Sequence, residues 1–127
     1  MNNSTTQYPP GACRMTRGET RQISITVTLK GTIVNLTGAT LEYVAQSCEP
    51  HRRCRLDKTT TSGAIVITAP TTGVGVLTLV PADTLPFPNE DLEFDVEWSL
   101  VDASGNRSSI LKGAKLFVEK TLLQTPY

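Results

Sequence analysis

The sequence predicts an all-β protein, an antiparallel β-sandwich of about seven short strands, on three observations. Leu92, Phe94, Val96, Trp98 and Leu100 alternate with Glu93, Asp95, Glu97 and Ser99 at the period of 2 that puts one parity into a core and the other into water. Turn residues recur at short intervals, as at Lys30-Gly31, Ser62-Gly63, Pro70 to Gly73 and Asp102 to Asn106. No stretch carries the 3.6-residue period of an amphipathic helix. A chain of 127 residues supports one domain that folds without staples.

The elements follow in order. Residues 1–16 are polar, broken by Pro9, Pro10 and Gly11, and without a period, so they read as an extended N-terminal arm. Such an arm orders on a partner, with Tyr8, Pro9, Pro10, Arg14 and Arg17 as its contact candidates. Ile23, Ile25, Val27 and Leu29 alternate with polar residues as a first strand, and Leu41, Tyr43 and Ala45 share the face of the next long one. Residues 47–55 interrupt a pair of strands as a protruding loop, and the chain resumes at Leu56. Ile65 and Ile67 point inward from a strand at 64–68. Residues 74–80 are apolar on both parities, which suits a central strand or one covered on both faces. Pro81 can open a single helical turn, because its missing N–H is an orphan there anyway. After the strand at 92–100, Asp102 to Asn106 turn the chain into a last strand running to about Lys120, with Gly113 at a bulge. Short strands in this spacing describe an immunoglobulin-like sandwich over residues 17–120, without the Cys-Trp-Cys arrangement of antibody domains, and a tail at 121–127.

Twelve bases balance twelve acids, which argues against a general nucleic-acid or membrane-surface binder. The charges are unevenly placed, however. Half the acids lie between Asp83 and Glu97, while Arg52, Arg53, Arg55 and Lys58 cluster in and after the loop. Separated charge suits contacts with neighbouring subunits. No apolar run is long enough to span a membrane and no secretion signal opens the chain, so assembly in the cytosol is expected.

Three cysteines are too few and too odd for a secreted disulfide scaffold. Cys48 and Cys54 could close the loop as a disulfide, while His51, Arg52, Arg53 and Arg55 offer it to an acidic or phosphorylated partner. Cys13, Cys48, His51 and Cys54 are also a formal zinc set, but the five-residue gap and the flanking arginines disfavour a metal. Asn89, Glu90 and Asp91 lack the alternating spacing of a calcium loop. The single histidine has no nucleophile or carboxylate at a recognisable spacing, and no glycine-rich phosphate loop occurs, so no catalytic activity and no cofactor are expected.

The order of Arg17-Gly18-Glu19-Thr20, Gly31 to Thr40, Thr60 to Ile65, Gly73 to Thr84, Phe94 to Trp98 and Asp102 to Asn106 resembles small phage virion domains similar to the N-terminal domain of upper baseplate proteins. The likeness covers roughly residues 17 to 120. It implies an Ig-like module of a tailed bacteriophage that attaches tail or baseplate to fibres by binding other virion proteins, in many copies and without chemistry. The chain departs from that pattern in its arm, in its Cys48–Cys54 loop and in stopping soon after the domain, which suits a small accessory protein of the tail or a decoration protein of the capsid or tail. The rival expectation is a module that binds carbohydrate or a receptor on the host surface. Tyr43, Phe94 and Trp98 fall in core phase, so Tyr8, Phe87, Phe117 and Tyr127 would be its stacking platforms.

Overall fold

The computed structural model describes residues 13–47 and 54–122. Their strands are β1 (Cys13–Thr16), β2 (Arg21–Thr26), β3 (Thr28–Leu29), β4 (Thr32–Ile33), β5 (Thr40–Ser47), β6 (Arg55–Thr59), β7 (Ile65–Ala69), β8 (Val74–Leu79), β9 (Leu92–Val101) and β10 (Arg107–Glu119). A 3-10 turn (Pro70–Thr72) precedes β8, and one helical turn, α1 (Pro81–Thr84), follows it. The five-stranded sheet has the order β1-β10-β9-β5-β6 and the three-stranded sheet the order β2-β8-β7. A two-stranded ribbon, β3-β4, lies at one end.

Burial follows the alternation in the sequence. Leu92, Phe94, Val96, Trp98 and Leu100 of β9 are all buried, as are Leu41, Tyr43 and Ala45 of β5 and Ala114, Leu116 and Val118 of β10. Register brings Tyr43 opposite Trp98, and their rings meet edge to face with centroids 5.0 Å apart. Ile65, Leu77 and Leu79 close the core from the three-stranded sheet, so the two sheets share one apolar layer. Gly75 of β8 lies directly against that layer: a Cβ there would come within 2.7 Å of Leu41 Cδ1. The helical turn begins at Pro81 as expected, and Asp83 Oδ2 accepts the Val80 N–H at 2.8 Å. The pairing of β9 with β10 slips between Lys112 and Ala114, which makes Gly113 the expected bulge residue, and again between Ser109 and Leu111.

Two expectations need correction. Cys13–Thr16, assigned above to the arm, form β1, which runs parallel to β10 with Cys13 opposite Leu116 and buries Met15 to 1% exposure. The folded region therefore includes residue 13 and does not begin at 17. Four residues are too few to display a period, and their partner lies about a hundred residues away in the chain, so local pattern carried no signal.

The first strand, expected to run on to Leu29, ends at Thr26. Val27 is buried and donates its N–H to Gly73 O at 2.7 Å, after which the chain leaves the sheet for the ribbon and Leu29 is exposed. Leu36, between the ribbon and β5, is buried in its place and anchored by a 2.7 Å bond from its N–H to Pro70 O. The doubly apolar β8 is the central strand of its sheet, as one alternative held, but its outer parity is only half covered.

Candidate partner-contact surfaces

Of the arm candidates, Tyr8, Pro9 and Pro10 lie outside the described residues. Arg14 sits on β1 with its guanidinium half exposed and 2.8 Å from Glu119. Arg17 does not reach outward. Its Nη2 donates to Leu85 O at 2.6 Å and its Nε to Phe87 O at 3.0 Å, while the next N–H, that of Gly18, donates to Thr84 Oγ1 at 2.8 Å. Arg17 thus fastens the entry of β2 to the exit of α1, and the expectation that it contacts a partner is corrected.

Of the loop candidates, Cys48, His51, Arg52 and Arg53 lie outside the described residues, while the feet of the loop lie within them. Ser47 N–H donates to Cys54 O at 2.9 Å, and Cys54 N–H donates to Ser47 Oγ at 3.2 Å, so backbone and hydroxyl bonds join the two feet. Cys54 is a free thiol, 7% exposed, and burial pushes its pKa up; Cys13 is likewise free and shifted the same way by burial. A raised pKa keeps both thiols neutral and poorly nucleophilic.

Arg55 and Lys58 do not form one basic patch with each other. Alternation turns Arg55 outward, where Asp57 holds it at 2.8 Å and Gln46 Oε1 at 3.3 Å. Lys58 points the other way and meets Asp83 of α1 at 2.5 Å, with both side chains largely covered. The hydrogen bond to Asp57 favours the charged form of the Arg55 guanidinium.

The acidic window resolves in the same manner. Lys115 bridges Glu93 at 3.0 Å and Asp95 at 2.5 Å, and Arg107 pairs with Glu42. The outer face of the five-stranded sheet is therefore a ladder of opposite charges, with Lys115 of β10 paired to its neighbour β9 and Arg107 reaching across β9 to β5. Asn89 holds the backbone of Thr121 through two bonds of 2.9 and 3.0 Å, and Asp91 accepts the Lys120 N–H at 3.0 Å. These side chains secure the chain leaving β10. Among the described residues no three His, Cys, Asp or Glu side chains are grouped to hold a metal ion, and no helix is long and apolar enough to cross a membrane.

Phe87 was expected as an exposed aromatic; it is 9% exposed and packs on Phe94 with centroids 5.4 Å apart. Two prolines around it hid its phase from the pattern. Phe117 is half buried on the outer face of β10, where it lines a shallow cavity of about 220 Å³ with Arg14, Asp91, Glu93 and Glu119.

One further surface holds none of the contact candidates singled out in the sequence. Gln22, Ser24 and Thr26 of β2, Val74, Val76 and Thr78 of β8, and Val66 and Thr68 of β7 form the outer face of the three-stranded sheet, and none carries a charge. Val66 on the edge strand β7 is 55% exposed, in register with Val76 of the central strand and through it with Ser24. The signal was present as a charge-free run from Thr59 to Ala82 and a second from Gln22 to Leu29. The two outer faces of the sandwich thus differ in kind, one a ladder of paired charges and the other neutral. No family model matches the chain, and no curated protein matches it.

Proposed function

We propose that the protein is a structural component of a tailed bacteriophage virion, a non-catalytic attachment module that joins tail or baseplate to fibres through an Ig-like sandwich. The observation that carries this reading is the sandwich itself, built from the same residues whose order resembles phage virion domains. Its strand order adds support: β2-β8-β7 facing β10-β9-β5-β6 follows the B-E-D and G-F-C-C′ order of variable-type Ig domains. The side chains also favour binding over chemistry, since most described acids and bases are engaged with each other or with backbone, and an exposed neutral face remains for contact. Many copies in a symmetric particle would make modest contacts sufficient.

Cryo-electron microscopy of the intact particle tests the reading. Density for this sandwich between tail and fibre supports the attachment role. Density on capsid or tail surface sites makes it a decoration protein instead. Its absence from the particle refutes a virion role. The host-surface alternative keeps one aromatic among the described residues, Phe117 beside its cavity, because Phe87 is spent in the core.

A further inference from the structure

A sheet edge presents unpaired N–H and C=O groups, and folded proteins defend such edges with charge, proline, bulges or brevity. Among the described residues, three of the four edges of the two larger sheets are defended. β6 carries Arg55, Asp57 and Lys58; β7 slips register between Ile67 and Ala69 and runs into Pro70; β1 is four residues long and carries Arg14.

β2 has none of these devices beyond Arg21 at its first position. It pairs with β8 over six residues without a register shift, and it has no proline and no charge from Gln22 to Thr26. The bond from Val27 N–H to Gly73 O fixes the parity of the ladder, since these two residues continue the β2-β8 register. Arg21, Ile23 and Ile25 are therefore the residues bonded to β8, and the N–H and C=O groups of Gln22, Ser24 and Thr26 point to the open side. Among the described residues no backbone group meets them there.

We propose that this edge pairs antiparallel with β2 of a second copy, joining the two three-stranded sheets into one six-stranded sheet. A two-fold axis at Ser24 sets Ser24 opposite Ser24 and Gln22 opposite Thr26 of the other copy, so each outward group finds a partner. The strand is self-complementary in charge. Nothing repels across the seam, because Arg21 lies at its far ends and is held 3.0 Å from Glu19. The neutral outer face with Val66 and Val76 continues across it. The pairing is independent of any role in a virion, and failure of one leaves the other standing.

Sedimentation equilibrium on the full chain at micromolar concentration tests it, with Ser24→Lys and Ser24→Pro as variants. Ser24→Lys sets two ammonium groups side by side at the axis, and Ser24→Pro deletes the outward N–H without touching a bond to β8. Circular dichroism shows which variant remains folded. A dimer of twice the chain mass that becomes a monomer in the folded variant is the expected result. A monomer at every concentration overturns the proposal. A monomer whose Ser24 amide is still protected from hydrogen exchange overturns it too, since another segment of the same chain then covers the edge. A dimer that survives both substitutions places the contact elsewhere and equally overturns it.

Discussion

Arg17 and Leu85 are joined by a 2.6 Å hydrogen bond from Nη2 to the carbonyl oxygen, between residues 68 positions apart in the chain. The same guanidinium holds Phe87 O, so one planar fork satisfies two carbonyls where the chain leaves α1. Arg17→Ala leaves both acceptors without their charged donor and is expected to lower stability by about 1–3 kcal/mol. Arg17→Lys recovers only part of the loss, since an ammonium cannot reproduce the fork. The urea midpoints of the two variants check the order wild type, Lys, Ala.

Trp98 is the only tryptophan, it is almost fully buried, and Tyr43 meets it edge to face. Trp98→Phe keeps the apolar contact with some loss of volume, whereas Trp98→Ala opens a cavity between the sheets and is expected to cost about 3–5 kcal/mol. Thermal unfolding of the two variants measures the difference. In the unmodified protein the tryptophan emission shifts to the red on unfolding.

Position 98 and its neighbours were legible in the sequence because period 2 is a local property: β5, β9 and β10 could be placed, and their core faces named, without knowing which strand met which, whereas β8, apolar on both parities, could be placed but not faced. The helical turn at Pro81 was legible for a related reason, since proline acts on its own φ and on its immediate neighbours. What stayed hidden depends on residues distant in the chain. β1 is a strand only because Leu116 to Glu119 lie beside it, and Arg17 is structural only because Leu85 and Phe87 bring their carbonyls to it. Of the basic residues in and after the loop, the two described ones part company, because Lys58 faces α1 while Arg55 faces water.

Gly73 and Gly63 both have positive φ, 74° and 87°, yet their surroundings differ. A Cβ at Gly73 would lie 2.8 Å from Val34 O and 3.0 Å from Val27 O, backbone atoms that cannot step aside without breaking the junction of ribbon and sheet. A Cβ at Gly63 meets nothing within 4 Å. Gly63→Ala is therefore expected to cost about 1–2 kcal/mol of left-handed strain alone. Gly73→Ala adds overlap to strain and is expected to cost about 2–4 kcal/mol. Paired denaturation curves separate the two contributions.

Stability is expected to fall on the alkaline side, through groups whose neutral forms the fold favours. Burial pushes up the pKa of Cys54, Cys13 and Tyr43, so each releases its proton more readily in the unfolded chain. Above the ordinary thiol range, about pH 8.5, the unfolded state therefore binds fewer protons than the native one and the slope of stability with pH is negative. A second decline is expected above about pH 10, where the Tyr43 phenol ionises once unfolded. Below these values the contribution is fully present. Urea midpoints measured between neutral pH and pH 11 should show both declines; Cys54→Ala should weaken the first and Tyr43→Phe the second. A midpoint that stays level across that range in the unmodified protein would mean that neither thiol nor phenol is shielded by the sandwich.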